Sequence, residues 1–468
     1  LNGCGDNTRN VMGCPLSGFS SVYDANAMAR KFGEYFRLPA EPHIQVFEID
    51  TSLIHTPDQH FAYGPKLLNR KFKFAFSAVH RDEQTGNWQH DNCVELRTND
   101  VGVMPIVEND KVAAFGVYIG GGQGEKNGKP TFAALGKPFG VFTEAELLKG
   151  LDAIVKVHQE WGDRKNRHWA RLKYVVNAMG IEWFQQQVKA LGATFEPPRP
   201  DFDPGPRMLH HGWHRQPSNG LLAYGAYIPN GRIINAPHGN FKSMVRHLMD
   251  TFDIELLTTP NQDLLFTNIP PDAKDWFEAE MKKFSYGTCN DKPYTRLRVL
   301  SGACVGLDTC RLAYTESEQF EPELLGELEQ RGYGDMNESI GITGCERQCF
   351  RPATKTIGWV GQGPNLYGLK LGGSEDGRHQ GQWLADGKRW YLKQVPRKEV
   401  AVVTAALFDY YKDNRASDDE DMGAFHRRMG ADAIIEYLKQ NPLTAPLMEK
   451  TADAPYVPDD SKNNVPVS

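Results

Sequence analysis

The stretches ACVGLDTC, residues 303–310, and GCERQC, residues 344–349, hold four of the chain's eight cysteines. Five residues separate Cys304 from Cys310, three separate Cys345 from Cys349, and glycines punctuate both segments. Thiolates gathered from two loops suit an iron–sulfur cluster or a tetrahedral zinc ion. Structural zinc usually takes pairs with two to four intervening residues, so the five-residue gap favours the larger cubane of a [4Fe–4S] cluster. A zinc ion, and unligated or disulfide-bonded cysteines, are the other readings. Cys4, Cys14, Cys93 and Cys289 are scattered without framework spacing and read as reduced bystander thiols.

Outward from these loops, the chain repeats itself. FGVYIGGG (115–122) is echoed by YGLKLGG (367–373), Asp163 by Asp413, and Met179–Gly180 by Met429–Gly430, at nearly constant offset. Three matches in one order predict a duplicated α+β module. The second copy has a leading segment, 207–300, that the first lacks, which predicts that a comparable N-terminal segment precedes Leu1. The proline-rich EPPRPDFDPGP, 196–206, cannot be helical and reads as the linker. The expected division is therefore a first module over 1–195, the linker, a half-module over 207–300, a cofactor-binding module over 301–445, and a tail over 446–468.

Within the first module, the pattern predicts a helix over 25–36 and strands over 44–49, around RKFKFAFSAV (70–79), and over 101–107 and 112–119. Lys71 and Lys73 are two apart on a strand and so share a face. A KxK pair is by itself usually a solvated face. Thr143 and Glu146 have capping-box spacing ahead of a helix, with two more expected over 173–178 and 181–190. Gly120–Gly121–Gly122 lacks the lysine or acidic partner of a nucleotide loop and reads as a turn beside a large planar group. His210, His211 and His214 invite a metal reading, but without a carboxylate at ligand spacing they read as turn and packing residues. A strand, helix, strand and helix are expected over 221–284, and acidic 415–421 reads as a solvated loop.

The 53 Lys and Arg against 59 Asp and Glu leave a net charge of −6, so nothing global argues for nucleic acid or an anionic membrane. No apolar run reaches the roughly 18 residues of a membrane span, and no secretory signal opens the chain. A cytoplasmic protein is expected.

The cysteine pairs resemble the signature of the sirohaem-containing sulfite and nitrite reductases, and the likeness extends to GDNTRN (5–10) and RKFK (70–73). The resemblance implies an α+β fold of duplicated ferredoxin-like modules with the cofactors between them. It implies sirohaem and a [4Fe–4S] cluster held by Cys304, Cys310, Cys345 and Cys349, with Cys349 also the axial ligand of the haem iron. Arg9, Lys71 and Lys73 match the residues that hold the substrate anion, and Asn261 and Gln262 match a stretch lying against the sirohaem. Arg296, Arg298 and Arg351 are candidate partners of sirohaem carboxylates by position. The implied activity is six-electron reduction of sulfite to sulfide. Nitrite reductases of the plant type commonly carry Asn where Lys73 stands, so the dianion sulfite is preferred over nitrite, whose reduction to ammonia is the alternative. Glu346, Arg347 and Gln348 depart from the family's smaller residues between the last two cysteines, which raises a non-catalytic electron-transfer subunit as a further alternative. No flavin or nicotinamide fingerprint stands out, so a ferredoxin or separate flavoprotein is the expected donor.

Overall fold

A computed structural model describes residues 5–38, 62–63, 67–82, 85–126, 129, 131–200, 202–236, 239–289 and 292–453. The strand expected over 44–49, Cys4 and most of the tail lie outside the described residues. The first sheet is built from β1 (Thr8–Gly13), β2 (Phe72–Phe76), then, after a hairpin of β3 (Ala78–Arg81) and β4 (Trp88–Asp91), from β5 (Val101–Glu108), β6 (Lys111–Ile119) and β7 (Lys137–Phe142). Its order is β1-β2-β5-β6-β7, with the first three strands parallel and the rest antiparallel.

Helix α1 (Ala25–Tyr35) makes the crossover between β1 and β2, begun by the Asp24 carboxylate accepting from the amides of Asn26 and Ala27. Phe32 packs on Phe76 and Phe36 stacks on Phe74. Alternation in β2 buries Phe72, Phe74 and Phe76 and leaves Lys73 half-buried on the opposite face. Helix α2 (Glu144–Trp161) starts at Thr143, whose hydroxyl accepts from the Glu146 amide. Glu146 does not close the box but accepts from the Thr194 amide. Helices α3 (Leu172–Met179) and α4 (Ile181–Ala190) meet at Gly180, at φ 83° and ψ 161°.

The linker lies along this sheet. Glu196 bridges to Val141, and Phe202 stacks on Tyr118 at 4.6 Å in space that a side chain at Gly116 would occupy. Beyond it, a four-stranded antiparallel sheet joins β8 (Gly212–Arg215), β9 (Leu222–Ala226), β10 (Glu255–Thr258) and β11 (Leu264–Ile269) in the order β10-β11-β9-β8. Helices α5 (Phe241–Thr251) and α6 (Lys274–Lys282) complete this unit around Phe266 and Phe277. The structure thus adds two strands to the sequence expectation. HHGWHR contributes β8, and TTPNQD is the turn of a hairpin.

The third sheet repeats the first. After α7 (Arg296–Leu300) come β12 (Gly302–Ala303), α8 (Phe320–Gln330), β13 (Ile340–Thr343), β14 (Ile357–Gly363), β15 (Leu366–Leu371) and β16 (Gln382–Trp383), in that order across the sheet. Again the first three strands are parallel and the next pairings antiparallel. Helices α9 (Val400–Asn414) and α10 (Met422–Gln440) pack on it, and α10 breaks at Gly430, φ 76° and ψ 161°, nearly the geometry of Gly180. Among the described residues no helix is long and apolar enough to cross a membrane.

Candidate active site

The cysteines leave the ends of neighbouring parallel strands. Cys304 follows β12 directly, with its amide donating to the Ile342 carbonyl, and Cys345 follows β13 after Gly344. The two loops are stitched together by the Tyr314 amide donating to the Gly344 carbonyl at 2.8 Å and by the Gly344 amide reaching the Cys304 sulfur at 3.4 Å. A side chain at Gly344 would come within 2.6 Å of the Thr315 carbonyl, so only glycine allows this approach. Cys310 caps its loop with an amide bond to the Gly306 carbonyl.

Cys349 is exposed as a residue, yet its sulfur is partly desolvated. Its thiol is pushed up by that desolvation and by Cys304 and Cys345, and pulled down by Lys73 and Lys71. The paired loops and the cationic strand therefore face each other. A tetrahedral zinc ion with Zn–S bonds of about 2.3 Å would hold its sulfurs about 3.8 Å apart. Among the described residues no three of these cysteines form such a set within 4.8 Å. That spread does not suit one tetrahedral ion.

On the facing side, β1 and β2 pair Thr8 with Phe72 and Asn10 with Lys73, leaving Arg9 as an extra residue. Arg9 is exposed at this bulge, one residue before the partner of Lys73. The Lys73 amide donates to the Asp100 carboxylate, which also takes Arg171 at 2.6 Å. The Lys73 ammonium is held below the ordinary lysine range, first by burial and then by Arg171 and Arg351, with Asp100 and Cys349 pulling it back.

Gln262, at φ 73°, donates to the carbonyl of Ala303, one residue before Cys304. Asn261 donates to the Met208 carbonyl and accepts from Arg207. Arg351 pairs with Glu95, whose carboxylate also takes Thr354 and Lys355. The structure gives Arg298 a two-pronged bond to Glu329 and Arg296 a bond to Asn337, away from the cysteine loops.

Glu346, Arg347 and Gln348 all have work. Buried Glu346 accepts from the Tyr314 hydroxyl and its carbonyl from the Glu125 amide. Buried Gln348 donates to the Gln123 carbonyl, and Arg347 approaches the Cys345 sulfur at 3.9 Å. Sequence reading missed Glu95 and Gln123, which act across the two copies, and Asp100 and Arg171, which hold Lys73 within the first. Lys173 donates to the carbonyls of Gly122, which ends the Gly120–Gly122 run, and of Gly124. A separate cavity of about 410 Å³ opens between the copies, lined by Arg97, Lys173, Lys370, Trp383 and Lys393, with none of the cysteines.

Two copies of one α+β module, one of them carrying paired cysteine loops, have the layout of a redox enzyme. The family described as the nitrite and sulphite reductase 4Fe-4S domain matches residues 4–194. The sulfite reductase (NADPH) hemoprotein beta-component of Staphylococcus carnosus is 30% identical over 438 residues, 91% of this chain and 73% of that protein. The protein of the same name from Shewanella sp. strain ANA-3 is 30% identical over 446 residues, 93% of this chain and 75% of its own length. The fold is similar to that of the Mycobacterium tuberculosis NirA protein, with a TM-score of 0.67 at 22% identity, covering 92% of this chain and 72% of that one. The chain belongs to the sulfite and nitrite reductase family and is an oxidoreductase with that family's cofactors, sirohaem and a [4Fe–4S] cluster.

Proposed function

We propose that this chain carries out the six-electron reduction of sulfite to sulfide, with Cys304, Cys310, Cys345 and Cys349 holding the cluster and Cys349 also the haem iron. What supports this reading is that Lys73 and Lys71 pull the Cys349 thiol down, so that these cations stand near enough to the proposed ligand cysteine to act on it. When bound, the cofactor pair supplies single electrons at an iron that takes the sulfur of the substrate.

The protein's own part is charge and protons. Sulfite near neutral pH is close to a dianion, and a unit-charge pair about 4 Å apart near a protein surface is worth about 4 kcal/mol. Arg9, Lys71 and Lys73 offset the repulsion between that anion and the carboxylates of the haem, and draw negative charge onto the substrate oxygens. Lys73 is assigned as a proton donor as each oxygen leaves as water, by its position near Cys349. Asp100 and Arg171 hold the Lys73 backbone in place. Gln262 steadies the turn into Cys304, and Arg351 would hold a haem carboxylate by releasing Glu95. Asn261 is assigned to bracing the Gln262 turn through the Met208 carbonyl, and Arg296 and Arg298 would meet sirohaem carboxylates only by releasing Asn337 and Glu329.

Electrons come from a separate flavoprotein, as the NADPH in the relatives' names suggests, with a ferredoxin as the alternative donor. Steady-state rates with sulfite and nitrite as alternative substrates test the reading. Sulfite turnover at least tenfold more efficient is expected, and preference for nitrite overturns the substrate assignment.

A further inference from the structure

Outside the cysteine loops, a second set of ligand-type side chains converges on one point. Cys14, His80, Asp91 and His210 each aim one ligand atom into a common space, and all four atoms lie within 4.8 Å of one another. The Asp91 Oδ2 is 2.8 Å from His80 Nε2, 3.0 Å from His210 Nε2 and 3.1 Å from the Cys14 sulfur. The sulfur is in turn 3.5 Å from His210 Nε2 and 3.9 Å from His80 Nε2. Cys14, Asp91 and His210 are buried, and the His80 side chain is 22% exposed.

Hydrogen bonding alone does not account for this arrangement. Three donors surround a single carboxylate oxygen that offers two lone pairs, and the other Asp91 oxygen already accepts from the Cys93 amide at 2.9 Å. A nucleophile relay does not account for it either. In a relay the imidazole uses one nitrogen for the thiol and the other for the carboxylate, whereas here both histidines turn the same Nε2 to both neighbours. A cation at the centre satisfies all four atoms at once. For bonds of about 2.0 to 2.3 Å, a tetrahedron has edges of about 3.3 to 3.8 Å, which the measured separations bracket.

We propose that Cys14, His80, Asp91 and His210 form a structural site for a divalent transition metal, zinc by its mixed thiolate, imidazole and carboxylate donors. Four protein ligands close the site, as structural zinc requires, and on binding the Cys14 thiol gives its proton to solvent. The half-exposed His80 edge is the way in. The fold supplies an independent reason for a ligand site here. Cys14 directly follows β1 as Cys304 directly follows β12, while His80 lies within β3, four residues past the end of β2. The Cys14 corner of the site occupies in the first copy the place of Cys304 in the second. It would fasten the end of the strand carrying Arg9 to the β3–β4 hairpin and to the exit of the linker.

Metal analysis and zinc K-edge X-ray absorption on the purified, chelator-washed holoenzyme test this. About one zinc per chain beside the cofactor iron is expected, with one sulfur and three nitrogen or oxygen neighbours. Cys14→Ser and Asp91→Asn should each lower zinc at least fivefold with iron unchanged. Zinc below a tenth of an equivalent after incubation with excess Zn²⁺, zinc without a sulfur neighbour, or a Cys14–Cys93 disulfide in the isolated enzyme would overturn the proposal. The wild-type absorption measurement stands even if a variant fails to fold.

Discussion

Strands β2 and β13 hold the same position in their two sheets and carry opposite chemistry. FKFAF alternates, burying three phenylalanines and presenting Lys73 on the other face, whereas IGIT is buried throughout and delivers Cys345 just past its end. The two strand positions put their ends at the junction of the copies, so one copy can specialise in charge and the other in sulfur without either fold changing. Duplication supplied the geometry, and divergence of a few side chains supplied the division of labour.

The sulfur half should be the harder to lose. Cys345→Ser is expected to remove the cluster, with acid-labile sulfide falling below about a tenth and turnover to background, measured by iron and sulfide assay. If the cluster survives, the four-cysteine assignment fails. On the charged half, Lys73→Ala should keep the cofactor spectrum and lower kcat/KM for sulfite by about 100- to 1000-fold, which corresponds to about 3 to 4 kcal/mol. A drop that is equal for sulfite and nitrite would show that Lys73 does not select the dianion.

The contact between the halves can also be broken. Glu95 is 1% exposed and faces Arg351, Thr354 and Lys355, so Glu95→Gln should cost about 3 to 5 kcal/mol in denaturant unfolding. Each copy further buries one neutral histidine. His158 and His426 are held down to about 3, chiefly by burial and then by neighbouring arginines. A folded-state value below the unfolded one of about 6.5 means that their stability contribution is complete above pH 6.5 and falls as the pH drops towards 3. The loss should run at about 1.4 kcal/mol per pH unit for each histidine, and His158→Gln and His426→Gln should each remove one share of that slope. The smallest effect expected is on the cluster potential. Arg347→Ala removes a cation from beside the Cys345 sulfur and should lower the potential by roughly 40 mV, the one-electron equivalent of about 1 kcal/mol, as read by redox titration.

The sequence disclosed what depends on local pattern. The alternation of RKFKFAF, the Thr143 start and the matched Met–Gly pairs all reappear as elements, because period, capping and a glycine's positive φ are local properties. The cysteine spacing and the KxK pair are the local patterns on which the two halves of the proposed site rest. What it concealed is what crosses between copies. Glu95 has no neighbour in sequence that explains its burial, and its partners lie more than 250 residues away. The Glu346–Arg347–Gln348 departure read as a disturbance for the same reason, since the Gln123 and Glu125 backbone groups that it engages belong to the other copy. His210 read as a packing residue because the carboxylate near it, Asp91, comes from a hairpin in the first module.

The linkage of the two modules through 196–206 has a consequence in symmetry. Two separate identical modules would have to meet through a self-complementary face, so that any contact made one way is made again in reverse. Joined in one chain, they are released from that requirement. Glu95 can meet Arg351 and Lys355 with no mirrored carboxylate needing a place on the other side, and a pair of equal sites can become one that turns over substrate and one that does not.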